Sequence, residues 1–127
     1  MLLYTTVGTN DLERAGRFYD AVLPLIGYRR QKQAPGEIGY AADEDVRCRF
    51  WVVEPFNREL ATFGNGVTIA FDAPTRASVD AFHAAALAAG GTDEGAPGLR
   101  PFHASFYAAF IRDHDGNKLV AVCERAE

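Results

Sequence analysis

Three histidines, two cysteines, an Arg-Trp pair and one acidic turn are the residues with chemistry to offer. His103 follows Pro97-Gly98 and sits in an aromatic segment, Phe102 to Tyr107. There it is either a general base at the mouth of a cleft or a surface loop residue. His83 lies on or beside the apolar stripe of a helix, which points to packing, and His114 falls in a turn. The three are far apart in the chain, with no HxxxH or HxH pairing to suggest a metal site. Asp113-His114-Asp115-Gly116 superficially looks like a calcium loop, but it lacks the length and the later Glu of one. It reads instead as a hairpin turn using glycine for positive φ. Cys48 and Cys123 have no CxxC spacing and sit in apolar strands, as reduced buried cysteines do. Arg49 and Trp51 put a guanidinium beside a π surface, which suits an anionic or planar ligand. The structural alternative is an Arg paired with a nearby carboxylate and a Trp filling the core.

The elements that carry these residues come in two similar runs. Thr68, Phe82 and Gly91 repeat Tyr4, Phe18 and Gly27 at one constant offset. Slightly farther on, Tyr107-Ala108-Ala109 repeats Tyr40-Ala41-Ala42. The first run predicts a strand over 2–8, then a helix capped by Asn10 with Glu13 as its capping-box partner. Leu12, Ala15, Phe18, Tyr19 and Val22 form that helix's stripe, and Pro24 ends it. Strands are predicted over 28–33, 38–42 and 46–53, and a linker over 54–66. The second run predicts a strand over 67–71 and a helix capped by Thr75 with Val79, Phe82, His83 and Ala86 inward. Segment 92–98 reads as a short strand or loop, and 102–112 and 117–122 as strands. Each helix can cover only one sheet face. Tyr4, Thr6, Thr68, Ala70, Lys118, Val120 and Val122 are therefore expected on the opposite, concave faces, with Arg47, Arg49 and Trp51 beside them. Cys48, Phe50 and Val52 are expected under the helix.

At 127 residues, with 48% hydrophobic and 24% charged residues, the chain suits one globular domain. A net charge of −4 argues against nucleic acid, which wants a basic stripe. No apolar run approaches the roughly 20 residues that span a bilayer, and no leader pattern opens the chain. The expectation is a cytoplasmic protein without a membrane or nucleic-acid partner.

Asn10-Asp11-Leu12-Glu13 with Phe18-Tyr19, the Gly27 turn, Ile69-Ala70-Phe71 before Val79-Asp80-Ala81-Phe82-His83, and Asp113-His114-Asp115-Gly116-Asn117-Lys118 recur in order and spacing. Together they resemble the vicinal oxygen chelate superfamily of glyoxalases, bleomycin resistance proteins and extradiol dioxygenases. The resemblance implies an α+β fold of two βαβββ modules, approximately 1–56 and 65–127. These would form a curved, partly closed mixed sheet around a cleft, usually in a homodimer. It also implies a divalent metal (Zn, Ni, Fe or Mn) held by His, Gln or Glu on the first and last strands of each module.

Carried over position by position, those ligands are absent. The first-strand positions are Tyr4 and Thr68, and the last-strand positions are Trp51 (Phe50 if the register is one off) and Val120. None is a first choice for a divalent metal, and Val and Trp cannot serve at all. The extradiol pattern departs again at Phe110, His114 and Val120. The reading that follows is a protein without metal or other cofactor that binds a small molecule in its cleft. Tyr4, Arg49, Trp51, Thr68, Phe110 and Val120 would contact the ligand. The alternatives are an enzyme and an interaction module. The enzyme would be a lyase, isomerase or dioxygenase-like protein, the first two favoured over an extradiol dioxygenase, with non-standard metal ligands or none and His103 as base. The interaction module would fill its cleft with its own side chains.

Overall fold

A computed structural model describes residues 1–126. The first unit runs β1 (Thr5–Gly8), α1 (Leu12–Val22), β2 (Arg29–Ala34), β3 (Glu37–Ala41) and β4 (Phe50–Val53). The second runs β5 (Ile69–Asp72), α2 (Arg76–Ala88), β6 (Thr92–Leu99), β7 (Tyr107–Arg112) and β8 (Lys118–Cys123). Each unit makes its own four-stranded mixed sheet, in the orders β1-β4-β3-β2 and β5-β8-β7-β6. In both, the first strand pairs in parallel with the last. The two sheets are not closed into a barrel.

Strand alternation divides the residues between two faces. Val7, Ile38, Tyr40, Phe50 and Val52 of the first sheet join one core with Phe71, Ile111, Leu119 and Ala121 of the second. Phe18 and Tyr19 of α1 and Val79 and Phe82 of α2 complete it. Both helices thus lie in a single core shared by the units, and neither unit buries its helix-side face alone. Ala108, Val120 and Val122 form a second, smaller cluster with Phe106 and Phe110. By alternation it lies on the face of the second sheet turned away from α2.

Several local expectations are corrected. Asp11, not Asn10, caps α1: its backbone is extended and its carboxylate accepts from Arg14 N–H. Glu13 pairs with Arg17 at 3.3 Å rather than closing a capping box. Asn10 instead ties the helix start to the linker, accepting from Ala61 N–H at 2.7 Å and donating to Ala61 O at 3.2 Å. The Thr75 cap is as expected, and Ser78 completes its box. Pro24 ends α1 by leading into a 3-10 turn, Leu23–Ile26, that closes on left-handed Gly27. β4 starts at Phe50 rather than Val46, because Asp45 folds the preceding segment into a loop. Its carboxylate accepts from Ala42 N–H at 3.0 Å and from Arg49 Nε at 3.2 Å. β7 starts at Tyr107 rather than Phe102. Arg100 N–H reaches across to Phe106 O at 2.8 Å and closes a turn over the intervening residues.

The hairpin turn after β7 does more than reverse the chain. Gly116 has φ 86°, as such a turn needs. The two aspartates point inward. Asp113 is buried and accepts from the Tyr19 hydroxyl, from Asn117 Nδ2 and N–H, and from Asp115 N–H. Asp115 accepts from Thr9 Oγ1 at 2.6 Å and Asn10 N–H at 2.9 Å. Asn117 Nδ2 also reaches Gly8 O at 3.0 Å. A turn of the second unit therefore holds the β1–α1 corner and the middle of α1 in the first.

Candidate functional site

The positions implied as metal ligands sit on or just before the parallel strand pairs β1–β4 and β5–β8. Trp51 on β4 is the register partner of Thr6 on β1, and Val120 on β8 is the partner of Ala70 on β5. Tyr4 and Thr68 each fall one residue before their strand begins, and both are exposed. The side chains at these positions are phenol, indole, hydroxyl and isopropyl, a donor set that does not fit a divalent metal. Among the described residues, no group of three or more His, Cys, Asp or Glu is placed to hold one elsewhere.

The concave face of the first sheet is built around a missing side chain. Trp51 is half-buried, and its indole lies over Gly39 of β3. A Cβ added to Gly39 would stand 2.8 Å from Trp51 Cζ3 and 2.6 Å from Cys48 Sγ. Cys48 is therefore on the Trp51 side and not under the helix as expected. It precedes β4, so the alternation of that strand does not extend to it. Burial pushes the Cys48 thiol up, partly opposed by the Lys32 ammonium. Lys32 is the register partner of Gly39 on β2.

The concave face of the second sheet carries Phe110, the register partner of Val120, within the smaller apolar cluster. Two cations flank its ring. Arg100 Cζ lies 5.5 Å and Lys118 Nζ 5.3 Å from the ring centroid. Lys118 was expected on this face. Arg100 was not, because it comes from the turn beyond β6, where strand alternation says nothing. The only hint in the sequence is its neighbourhood of small residues, Gly95 and Gly98.

The structure brings together four of the six sequence-named residues, in two pairs, and leaves Trp51 and Thr68 apart. Tyr4 and Arg49 border a cavity of about 180 Å³ between the edges of β1 and β5, with Tyr28, Ile69 and Ala70. Arg49 spends its guanidinium on Asp45 at 3.2 Å and on Leu3 O at 3.2 Å. Phe110 and Val120 pack against each other, Trp51 stands on the other sheet, and Thr68 lies exposed at the start of β5. A cavity of about 690 Å³ lies elsewhere, between the end of β4 and the linker. It is bordered by Glu37, Glu54, Glu59 and Arg58 and holds none of the six.

The histidines are all engaged. His103 Nε2 lies 2.8 Å from Glu124 Oε2, and its Nδ1 accepts from Ser105 N–H at 3.1 Å. The proton must then sit on Nε2, and neither nitrogen keeps a free lone pair for a general base. His83 bonds Asp93 at 2.8 Å, which holds that carboxyl below its ordinary range. His114 packs edge-on against Phe18, ring centroids 5.6 Å apart.

This arrangement has close parallels. The family model of the glyoxalase/bleomycin resistance protein/dioxygenase superfamily matches residues 2–121. No curated protein matches the chain. Among solved structures, a glyoxalase/bleomycin resistance protein from Albidiferax ferrireducens T118 is 38% identical, with TM-score 0.87 and 99% of both chains covered. A glyoxalase/bleomycin resistance protein/dioxygenase family enzyme from Burkholderia phytofirmans PsJN is 23% identical, with TM-score 0.74, covering 96% of this chain and 97% of that one. A fosfomycin resistance protein from Mesorhizobium loti shares the fold at 17% identity and TM-score 0.67, covering 97% of this chain and 91% of that one. The chain belongs to the glyoxalase/bleomycin resistance protein/dioxygenase superfamily.

Proposed function

We propose that this chain binds a small organic molecule on its concave sheet faces without a metal. The observation that carries the reading is the set of side chains at the four implied ligand positions. Tyr4, Trp51, Thr68 and Val120 offer none of the usual donors, while Trp51 on one face and Phe110 on the other supply flat, partly exposed apolar surface. Such surface with a few polar groups is what organic ligand sites are made of. A superfamily reaction that chelates substrate oxygens on a metal has no ligand set here to work from.

The two faces belong to separate sheets, and Phe102, in the turn between β6 and β7, is exposed at 71%. A second copy of the chain covering such a face would enclose the ligand, so the functional unit is proposed to be a homodimer. The test is a thermal-shift screen of small organic molecules in the presence of EDTA, on protein whose mass is first measured by sedimentation. The mass is expected at about twice 13.9 kDa. A ligand present at 100 times its Kd is expected to add about 2.7 kcal/mol of stability. A broad screen with no stabilising compound, or binding that disappears in EDTA, overturns the reading.

A further inference from the structure

We propose that the second sheet's concave face recognises an organic anion, with its apolar body beside Phe110 and its acidic group drawn to the charge of Arg100 and Lys118. The proposal rests on the small-molecule reading above and names the ligand's charge.

Three features of the face support it. Arg100 and Lys118 both lie within cation–π reach of one ring, at 5.5 and 5.3 Å. An acidic group beside that ring therefore meets positive charge from both residues. Secondly, neither cation meets a carboxylate among the described residues. Their neighbour Arg112, on the same face, is already neutralised by Glu94. In a chain of 17 acidic and 13 basic residues, carboxylate partners are not scarce. Thirdly, Arg100 is fixed in place. It donates to Gly98 O at 2.9 Å and to Ala96 O at 2.7 Å. A Cβ on Gly95 or Gly98 would approach its guanidinium nitrogens to 3.1 and 3.3 Å. Two neutral carbonyls hold the group without spending its charge, and a guanidinium has five N–H donors. The remaining donors are preorganised for an acceptor, and the partly buried Phe106 and Phe110 supply apolar surface beside them.

The test uses naphthalene-2-carboxylate and its neutral carboxamide as paired probes, titrated against the full chain by amide NMR. The carboxylate is expected to bind at least 10-fold more tightly, with shifts at Phe110, Lys118 and Val120. Arg100→Gln and Lys118→Met should each lower the ratio of carboxylate to carboxamide affinity by about 10-fold, the worth of a hydrogen bond to a charged group. Arg100→Lys, which keeps the charge, should retain much of that ratio. Unfolding midpoints of the three variants show whether each is folded. Equal affinity for the two probes at these resonances overturns the anion proposal and leaves the small-molecule reading standing. A carboxylate that shifts only residues elsewhere also overturns it. Failure of both probes to perturb the face overturns the proposal and counts against the underlying reading.

Discussion

Replacing Asp113 by alanine is expected to cost about 3–5 kcal/mol of stability, because it leaves several buried donors unsatisfied at about 1–3 kcal/mol each before relaxation. The carboxylate gathers four donors: the Tyr19 hydroxyl, the Asn117 amide and N–H, and the Asp115 N–H. Tyr19 is fully buried, so its hydroxyl has no water to turn to. Relaxation around the orphaned donors keeps the total below their sum. Asp113→Asn keeps the shape and an acceptor and should cost less than the alanine. Tyr19→Phe removes a single donor and should cost about 1 kcal/mol. Burial and the adjacent Asp113 raise the Tyr19 phenol above its usual 10.0. A raised folded value means stability is fully present below pH 10 and lost as pH rises through it. Urea unfolding at unchanged slope measures these costs. A loss below about 1 kcal/mol for Asp113→Ala, against the expected range of about 3–5 kcal/mol, would show that the turn does not hold the units together.

The second large effect is expected at Gly39. Adding one methyl inside a strand usually stabilises slightly, since glycine loses more freedom on folding than alanine. Here the methyl would meet Cys48 Sγ at 2.6 Å and the Trp51 ring at 2.8 Å. Gly39→Ala should therefore cost about 1–3 kcal/mol, as overpacking does. It should also displace the indole, and Trp51 is the chain's one tryptophan, so its fluorescence reports the change directly. A stable variant with unchanged emission would mean that the indole does not lie on β3.

These two sites mark how far the sequence could be read. Hydrophobic alternation and the repeated Phe18 and Phe82 gave both units, and both helices follow the stripes that predicted them. The family was legible because cap, turn and strand signals recur in order. What was not legible is where polar side chains turn when the backbone leaves its regular period. Asp113 and Asp115 look like any solvated turn in the sequence, yet they face inward because an element far away supplies Tyr19, Thr9 and Asn10. Cys48 changed faces because Asp45 bent the chain before β4 began. Arg100 reached the concave face from a turn that no periodicity governs. Glycines were the local clues available, Gly39 for the indole and Gly95 and Gly98 for Arg100, since a glycine inside a strand marks a close approach by another group.

The central claim is that the superfamily scaffold is kept while its metal chemistry is absent. Elemental analysis tests it most directly, on untagged chain incubated with excess zinc, nickel, manganese and ferrous iron and then dialysed. The account predicts metal far below one equivalent per chain. One tightly held metal per chain, lost when Tyr4 or Thr68 is replaced, would contradict it.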